Sequence, residues 1–348
     1  MVMSKTFRVG VIGCGKRARS HVVGLKAESR CEVVAVADLN QAGAEDFAGQ
    51  FSEKPSVYTD YHRLLEQENP DVIIGCLWPG LHYPVFKDCV EAGVKAYHSE
   101  KPMAPTWGDC LAMAELAKTS GTQLTFCHQR RFSEAQIEIR KLIQGGLLGD
   151  IKRLDIVTLL CLLDCGTHSI DQALSYIGES PAKWVFGAVD ITEPKELFGV
   201  QSESLAIGKI VFENGVCANL ECGSKRHTDL MGNTDLYQGV RVCGDKGMLE
   251  IGWGGEICKA AIYDDPQWQA PQIESDKGEK NSCIRMVNEL FDALESGRES
   301  AISHQKALRA TEIIFGLYES ARRRTRVDFP LTITDNPFAA MISDCKCK

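Results

Sequence analysis

Phe7-Arg8-Val9-Gly10-Val11-Ile12-Gly13-Cys14-Gly15-Lys16-Arg17-Ala18 carries an apolar strand straight into a glycine turn that opens a helix. Gly13 permits the tight turn, Gly15 lets backbone N–H groups approach an anion, and small Ala18 allows the helix to lie close on the strand. The unsatisfied N–H groups of the first helical turn then face that anion, which makes the segment a docking site for a dinucleotide pyrophosphate. A second apolar run, Val33-Val34-Ala35-Val36-Ala37, ends in Asp38, about 20 residues after Ala18, where a carboxylate binds an adenosine ribose. A carboxylate there favours NAD over NADP, because it repels a 2′-phosphate. Lys16, Arg17 and Arg19 oppose the helix dipole unless an anion sits among them.

Outward from this turn, short apolar runs at 56–58, 72–77, 95–97 and 123–127 alternate with amphipathic stretches such as 82–92 and 107–120, which stop at Gly93 and Gly121. The alternation predicts an α/β Rossmann domain, a doubly wound parallel sheet, over residues 1–127. Past Gly149 the runs at 204–213, 216–222, 239–243 and 248–251 follow one another as strands, with hairpin turns at Asn214-Gly215 and Asp245-Lys246-Gly247. Helices at 284–295 and 304–323 complete an α+β C-terminal domain over 128–335, with a late helix returning to the first domain and 336–348 as a tail. Its antiparallel sheet keeps one face for substrate or for a partner subunit.

The chain has 348 residues, 44% of them hydrophobic and 25% charged, which suits two folded domains. A net charge of -8 argues against a nucleic-acid partner, and no run approaches membrane-spanning length, so a cytoplasmic location is expected. Fifteen cysteines include no Cys-x-x-Cys pair. They read as reduced core residues, as at Cys76, Cys161 and Cys243, and no metal site is expected; Cys345 and Cys347 near the C-terminus read as an exposed thiol pair.

In an open α/β sheet the ligand lies beyond the carboxyl ends of the strands, so Trp78, Pro79, His82, Glu100, Lys101 and Gln129 are candidates for cofactor contact. A Lys101 ammonium at the crevice mouth stabilises a developing alkoxide; alternatively Glu100 and Lys101 are a surface ion pair. Asp164 and His168 stand four apart at the start of an apolar helix, which brings both to one face. His168 is then a base for a hydroxyl proton; alternatively Asp164 caps the helix and His168 is a hydrogen-bonded core residue.

Together these segments resemble the glucose-fructose oxidoreductase and inositol dehydrogenase family, Gfo/Idh/MocA. The resemblance rests on Gly13-x-Gly15-x-x-Ala18, Glu100-Lys101-Pro102, Asp164-x-Gly166-x-His168-x-x-Asp171, Ile210-Val-Phe212-Glu-Asn-Gly215, Gly244-Asp-Lys-Gly247 and Tyr318-Glu-Ser320-Ala321, followed by Phe329-Pro330-Leu331. It implies a large, mostly antiparallel open sheet in the second domain, and a homodimer or homotetramer built through it. It also implies Lys101 and His168 as the catalytic pair, with Asp164 binding substrate or orienting the histidine, and residues near Pro79 and His82 lining the nicotinamide pocket. The implied reaction moves a hydride between a secondary alcohol of a sugar or cyclitol and the nicotinamide, lysine and histidine converging on one carbinol. Two alternatives stand beside it: an NAD-dependent glycosidase working by transient oxidation, and a non-catalytic nucleotide-binding regulator. The chain departs from the family pattern where residues 151–163 pass almost directly from strand to helix.

Overall fold

The structure, a computed structural model, describes residues 6–223, 238–255, 257–271 and 280–346. It divides the chain into two compact units, the first formed by residues 1–105, 109–132 and 277–308, the second by 106–108, 133–276 and 309–348.

The first unit alternates β1 (Phe7–Ile12), α1 (Lys16–Ala27), β2 (Cys31–Ala37), α2 (Gln41–Ala48), β3 (Ser56–Tyr58), α3 (Tyr61–Glu68), β4 (Val72–Gly75), α4 (Pro79–Glu91), β5 (Ala96–Ser99), α5 (Trp107–Ser120) and β6 (Gln123–Phe126). The six strands pair in parallel in the order β3-β2-β1-β4-β5-β6, so the order reverses between β1 and β4. Ligands of such sheets bind at that reversal, and the glycine turn stands there. Gly93 and Gly121 take left-handed conformations, φ 82° and 73°, just after α4 and α5. Val9, Val11, Val36 and Phe47 make a dry core with Ala18, Val22 and Leu25 of α1.

The second unit begins with α6 (Glu134–Gln144), β7 (Ile151–Thr158) and α7 (Thr167–Tyr176). Strands β8 (Ala182–Val189), β9 (Lys195–Leu197), β10 (Val200–Ser202), β11 (Leu205–Phe212), β12 (Cys217–Gly223), β13 (Gly239–Gly244), β14 (Gly247–Gly252) and β15 (Ile257–Ile262) follow. The chain then supplies α8 (Lys280–Ser296) to the first unit, α9 (His304–Arg323) across the boundary, and β16 (Val327–Asp328) and α10 (Pro337–Lys346) to the second. In the first unit α8 lies so close to α1 that a side chain on Gly24 would overlap Val287 and the Cys283 carbonyl.

Eight strands form one sheet, β15-β14-β13-β7-β12-β11-β8-β16, antiparallel at every junction except β7 with β12. Gly215, at φ 84°, closes the β11–β12 hairpin, with the Asn214 side chain accepting from the Val216 N–H. Gly187 and Gly208 face each other across β8 and β11, and together they leave the hollow that Leu317 of α9 fills. On the opposite face of those strands Phe186 and Ile207 stand about half exposed. Within the stretch 336–348 expected as a tail, Pro337–Lys346 form α10, with Phe338 and Ile342 buried.

The described cysteines are free thiols. Cys161 is buried as expected, whereas Cys76 and Cys243 are only half-buried; Cys345 is exposed, and Cys347 lies outside the described residues. No helix among the described residues is long and apolar enough to cross a membrane.

Candidate active site

At the glycine turn of the first unit, Gly13 has φ 89°, and a side chain there would run into the Cys76 carbonyl past the end of β4. Gly15 is different: a Cβ on it meets nothing within 4 Å, so the ground before α1 is open. No side chain caps α1, which leaves the first-turn N–H groups for a ligand. Ala18 is fully buried against the strands. The residues present therefore fit a dinucleotide pyrophosphate.

Asp38 has a second task that its position in the sequence does not announce. One of its oxygens accepts from the Cys14 N–H at 2.7 Å and the other from the Asn40 N–H at 2.8 Å. The carboxylate thus braces the glycine turn, and its remaining lone pairs are what a ribose would use. The basic cluster also needs revising. Arg19 pairs with Asp46 at 2.6 Å and Arg17 approaches Glu100 at 3.6 Å, so protein carboxylates already offset two of the three cations; Lys16 is exposed.

Glu100 is buried, which removes the surface-pair alternative. Burial opposes its ionisation, but the hydrogen bond from His21 at 2.9 Å and the charges of His21, Arg17 and Lys101 outweigh it and hold the carboxyl well below the usual range. Half-buried Lys101 follows directly, beside a carboxylate that stays ionised. His82, assigned by sequence to the nicotinamide wall, is fully buried, its ring nitrogens 3.1 Å from the Met103 carbonyl and 3.0 Å from that of Leu77. Burial lowers its pKa, and the neutral ring, with a single N–H, donates to one of these two carbonyls at a time, the one after β5 or the one before α4. Trp78, by contrast, is 64% exposed and Pro79 begins α4. Gln129 is buried in a short turn after β6, where it accepts from the Cys127 thiol at 3.4 Å.

In the second unit only residues 159–161 separate β7 from the next helical turn, and Leu160 among them is left-handed at φ 61°. That turn, Leu162–Gly166, is a π-helix, whose wider winding places Asp164 and His168 on either side of a π–α junction. The winding therefore changes between the two residues, where the sequence reading assumed one regular helix. No side chain caps α7, so Asp164 is not its cap. His168 is 5% exposed and meets the Trp253 ring edge-on, centroids 5.9 Å apart.

Glu203, absent from the sequence candidates, holds this turn in place. Its fully buried carboxylate accepts from the Leu162 N–H at 2.6 Å, from Ser202 Oγ at 2.9 Å, from the Cys222 thiol and from the Tyr318 hydroxyl on α9. Burial and the Glu203 charge raise the Tyr318 pKa far above its ordinary value, so the phenol keeps the proton it donates.

Residues 7–128 match the model of an oxidoreductase family with an NAD-binding Rossmann fold, and residues 158–250 match the GFO/IDH/MocA C-terminal domain. The chain belongs to the GFO/IDH/MocA oxidoreductase family. D-glucoside 3-dehydrogenase of Escherichia coli is 24% identical over 93% of the chain and 98% of its own length. An inositol 2-dehydrogenase/D-chiro-inositol 3-dehydrogenase of Shouchella clausii is 29% identical, but over 42% of each chain, and a fission-yeast oxidoreductase is matched over 52% of its length. Among solved structures, the WlbA dehydrogenase of Bordetella pertussis, in complex with NADH and UDP-GlcNAcA, superposes with TM-score 0.77 at 18% identity over 95% of this chain and 100% of that one. Levoglucosan dehydrogenase, in complex with NADH and L-sorbose, gives TM-score 0.77 at 19% identity over 94% and 99%. These likenesses show that both units of this GFO/IDH/MocA chain carry the family fold.

Proposed function

We propose that the protein is an NAD-dependent dehydrogenase acting on a secondary alcohol of a sugar, sugar derivative or cyclitol. Gly13, Gly15 and the start of α1 hold the pyrophosphate, Asp38 holds the ribose, and bound NAD supplies the hydride acceptor. His168 takes the hydroxyl proton, Lys101 steadies the developing alkoxide, and Asp164 orients the substrate. The observation that carries this reading is that both candidate groups adjoin frames held by buried carboxylates, Glu100 beside Lys101 and Glu203 at the turn before His168. A pure nucleotide sensor needs neither frame. Asp38 is the support for NAD over NADP.

The test is a screen of free sugars, cyclitols, uronates and aryl glycosides with NAD and NADP, following nicotinamide absorbance and leaving-group release together. Lys101→Ala and His168→Ala are expected to lower kcat on the best substrate by about 10²–10⁴-fold while NAD binding persists. Failure of both variants to change any turnover, with NAD binding intact, would revive the regulator reading. The short 159–161 connection, which carries no lid, supports a second reading as an NAD-dependent glycosidase. That activity would release the leaving group without net NADH.

The exposed Phe186 and Ile207 support assembly through the C-terminal sheet. Replacing both with Asp is expected to convert a homodimer or homotetramer to smaller species in sedimentation velocity.

A further inference from the structure

Three distant segments of the first unit bring two imidazoles and a thiol to one point. A ring nitrogen of His21 on α1, a ring nitrogen of His98 on β5 and the sulfur of Cys127, just past β6, lie within 4.8 Å of one another. Each of the three residues is 2% exposed. The two rings meet edge-to-face, centroids 5.3 Å apart.

One nitrogen of each ring is accounted for. His21 Nε2 stands 2.9 Å from Glu100 Oε1, and His98 Nδ1 stands 2.9 Å from Thr125 Oγ1. The other two, His21 Nδ1 and His98 Nε2, are buried with no hydrogen-bond partner among the described residues. Buried polar atoms are rarely left so, and two on neighbouring rings beside a thiol have a common explanation in an electron-pair acceptor.

We propose that His21, His98 and Cys127 bind a divalent cation of borderline softness, with Zn²⁺ the best match to a donor set of two imidazoles and one thiolate. Tetrahedral zinc with such ligands sets donor separations of about 3.3–3.6 Å, so the three groups close by at most about 1.5 Å. Their surroundings suit it. With His21 Nδ1 and His98 Nε2 as the donors, the Glu100 carboxylate on His21 Nε2 would make the carboxylate–histidine–metal arrangement that fixes ring orientation, and Thr125 on His98 Nδ1 would do the same for His98. The Cys127 proton leaves to solvent as the metal–sulfur bond forms. Cation, thiolate and Glu100 then sum to zero charge, with Arg17 alongside Glu100. Cys76 and Glu100 form a separate group with a ring nitrogen of His21, their donor atoms also within 4.8 Å of one another. None of this depends on the hydride-transfer reading.

The experiment uses the full chain without a polyhistidine tag, assayed for metals as purified, then stripped with a chelator and titrated with Co²⁺. The expected result is about one equivalent per chain, with tetrahedral visible bands and a near-ultraviolet thiolate-to-cobalt band. Cys127→Ser removes the ultraviolet band, and His98→Phe weakens Co²⁺ binding at least about 10-fold, circular dichroism confirming that each variant is folded. If Cys127→Ser does not fold, His98→Phe and wild type decide by the same titration. A folded wild type that gives no cobalt spectrum, as it would if only a water bridged the nitrogens, overturns the proposal. So does a spectrum that survives the substitutions.

Discussion

Two buried glutamates hold the two frames, and they are neutralised in opposite ways. Glu100 in the first unit faces groups that carry or can carry charge: His21, Arg17 and Lys101. Glu203 in the second faces a backbone N–H, a serine and a tyrosine hydroxyl, and a thiol. A charge met by dipoles depends on every donor being in place, because none of them alone offsets it. A charge met by cations tolerates the loss of one, but its partners gain and lose protons with pH.

The contrast is broken most sharply at Glu203. Glu203→Ala strips the acceptor from four buried donors and is expected to cost about 3–5 kcal/mol in denaturant unfolding, with Glu203→Gln losing about half as much. A cost under about 1 kcal/mol for Glu203→Ala would mean that solvent replaces the carboxylate. His21→Leu is the matching change in the first unit. Glu100 keeps Arg17 and Lys101, so the expected loss is smaller, about 1–3 kcal/mol.

The smallest effect is in pH. The His82 pKa is lowered from 6.5 by burial, so below that pH the unfolded chain takes up a proton that the folded ring refuses, and stability falls as pH falls. Glu100, held below its usual 4.5, adds the same sign lower down. Amide exchange near residues 100–103 is therefore expected to quicken on acidification from about pH 6.5 to 5.5, by up to about 1 kcal/mol of opening free energy. His82→Gln should flatten that response. Equal responses near 100–103 and near 162–166 would erase the distinction between the frames.

Much of the fold was legible because its signals are local. The glycine turn, Asp38 at the end of β2, the stops at Gly93 and Gly121 and the Asn214-Gly215 hairpin each need only neighbouring residues to be read. The frames were not legible because their partners are remote. Glu203 reaches 41 residues back to Leu162 and 115 forward to Tyr318, and no periodicity links such positions. His82 looked like a cofactor contact because its place after a strand is visible in sequence, while the Met103 carbonyl it meets is not. The π-turn escaped for another reason: helical spacing assumes uniform winding, and a three-residue lead-in from β7 abandons it.

Leu317 and Tyr318 are successive on α9, one seated between two strand glycines and the other bonded to Glu203. The seating depth of the leucine therefore sets the reach of the phenol. A methyl group added at Gly208 would meet the Leu317 side chain at 2.5 Å, an obstacle that a rotamer change can relieve; at Gly187 it would also meet the Ile207 carbonyl at 2.8 Å, which cannot swing aside. The bare backbone of two β-residues thus acts as a spacer gauge for a carboxylate neither of them touches, with Gly187 the less forgiving jaw.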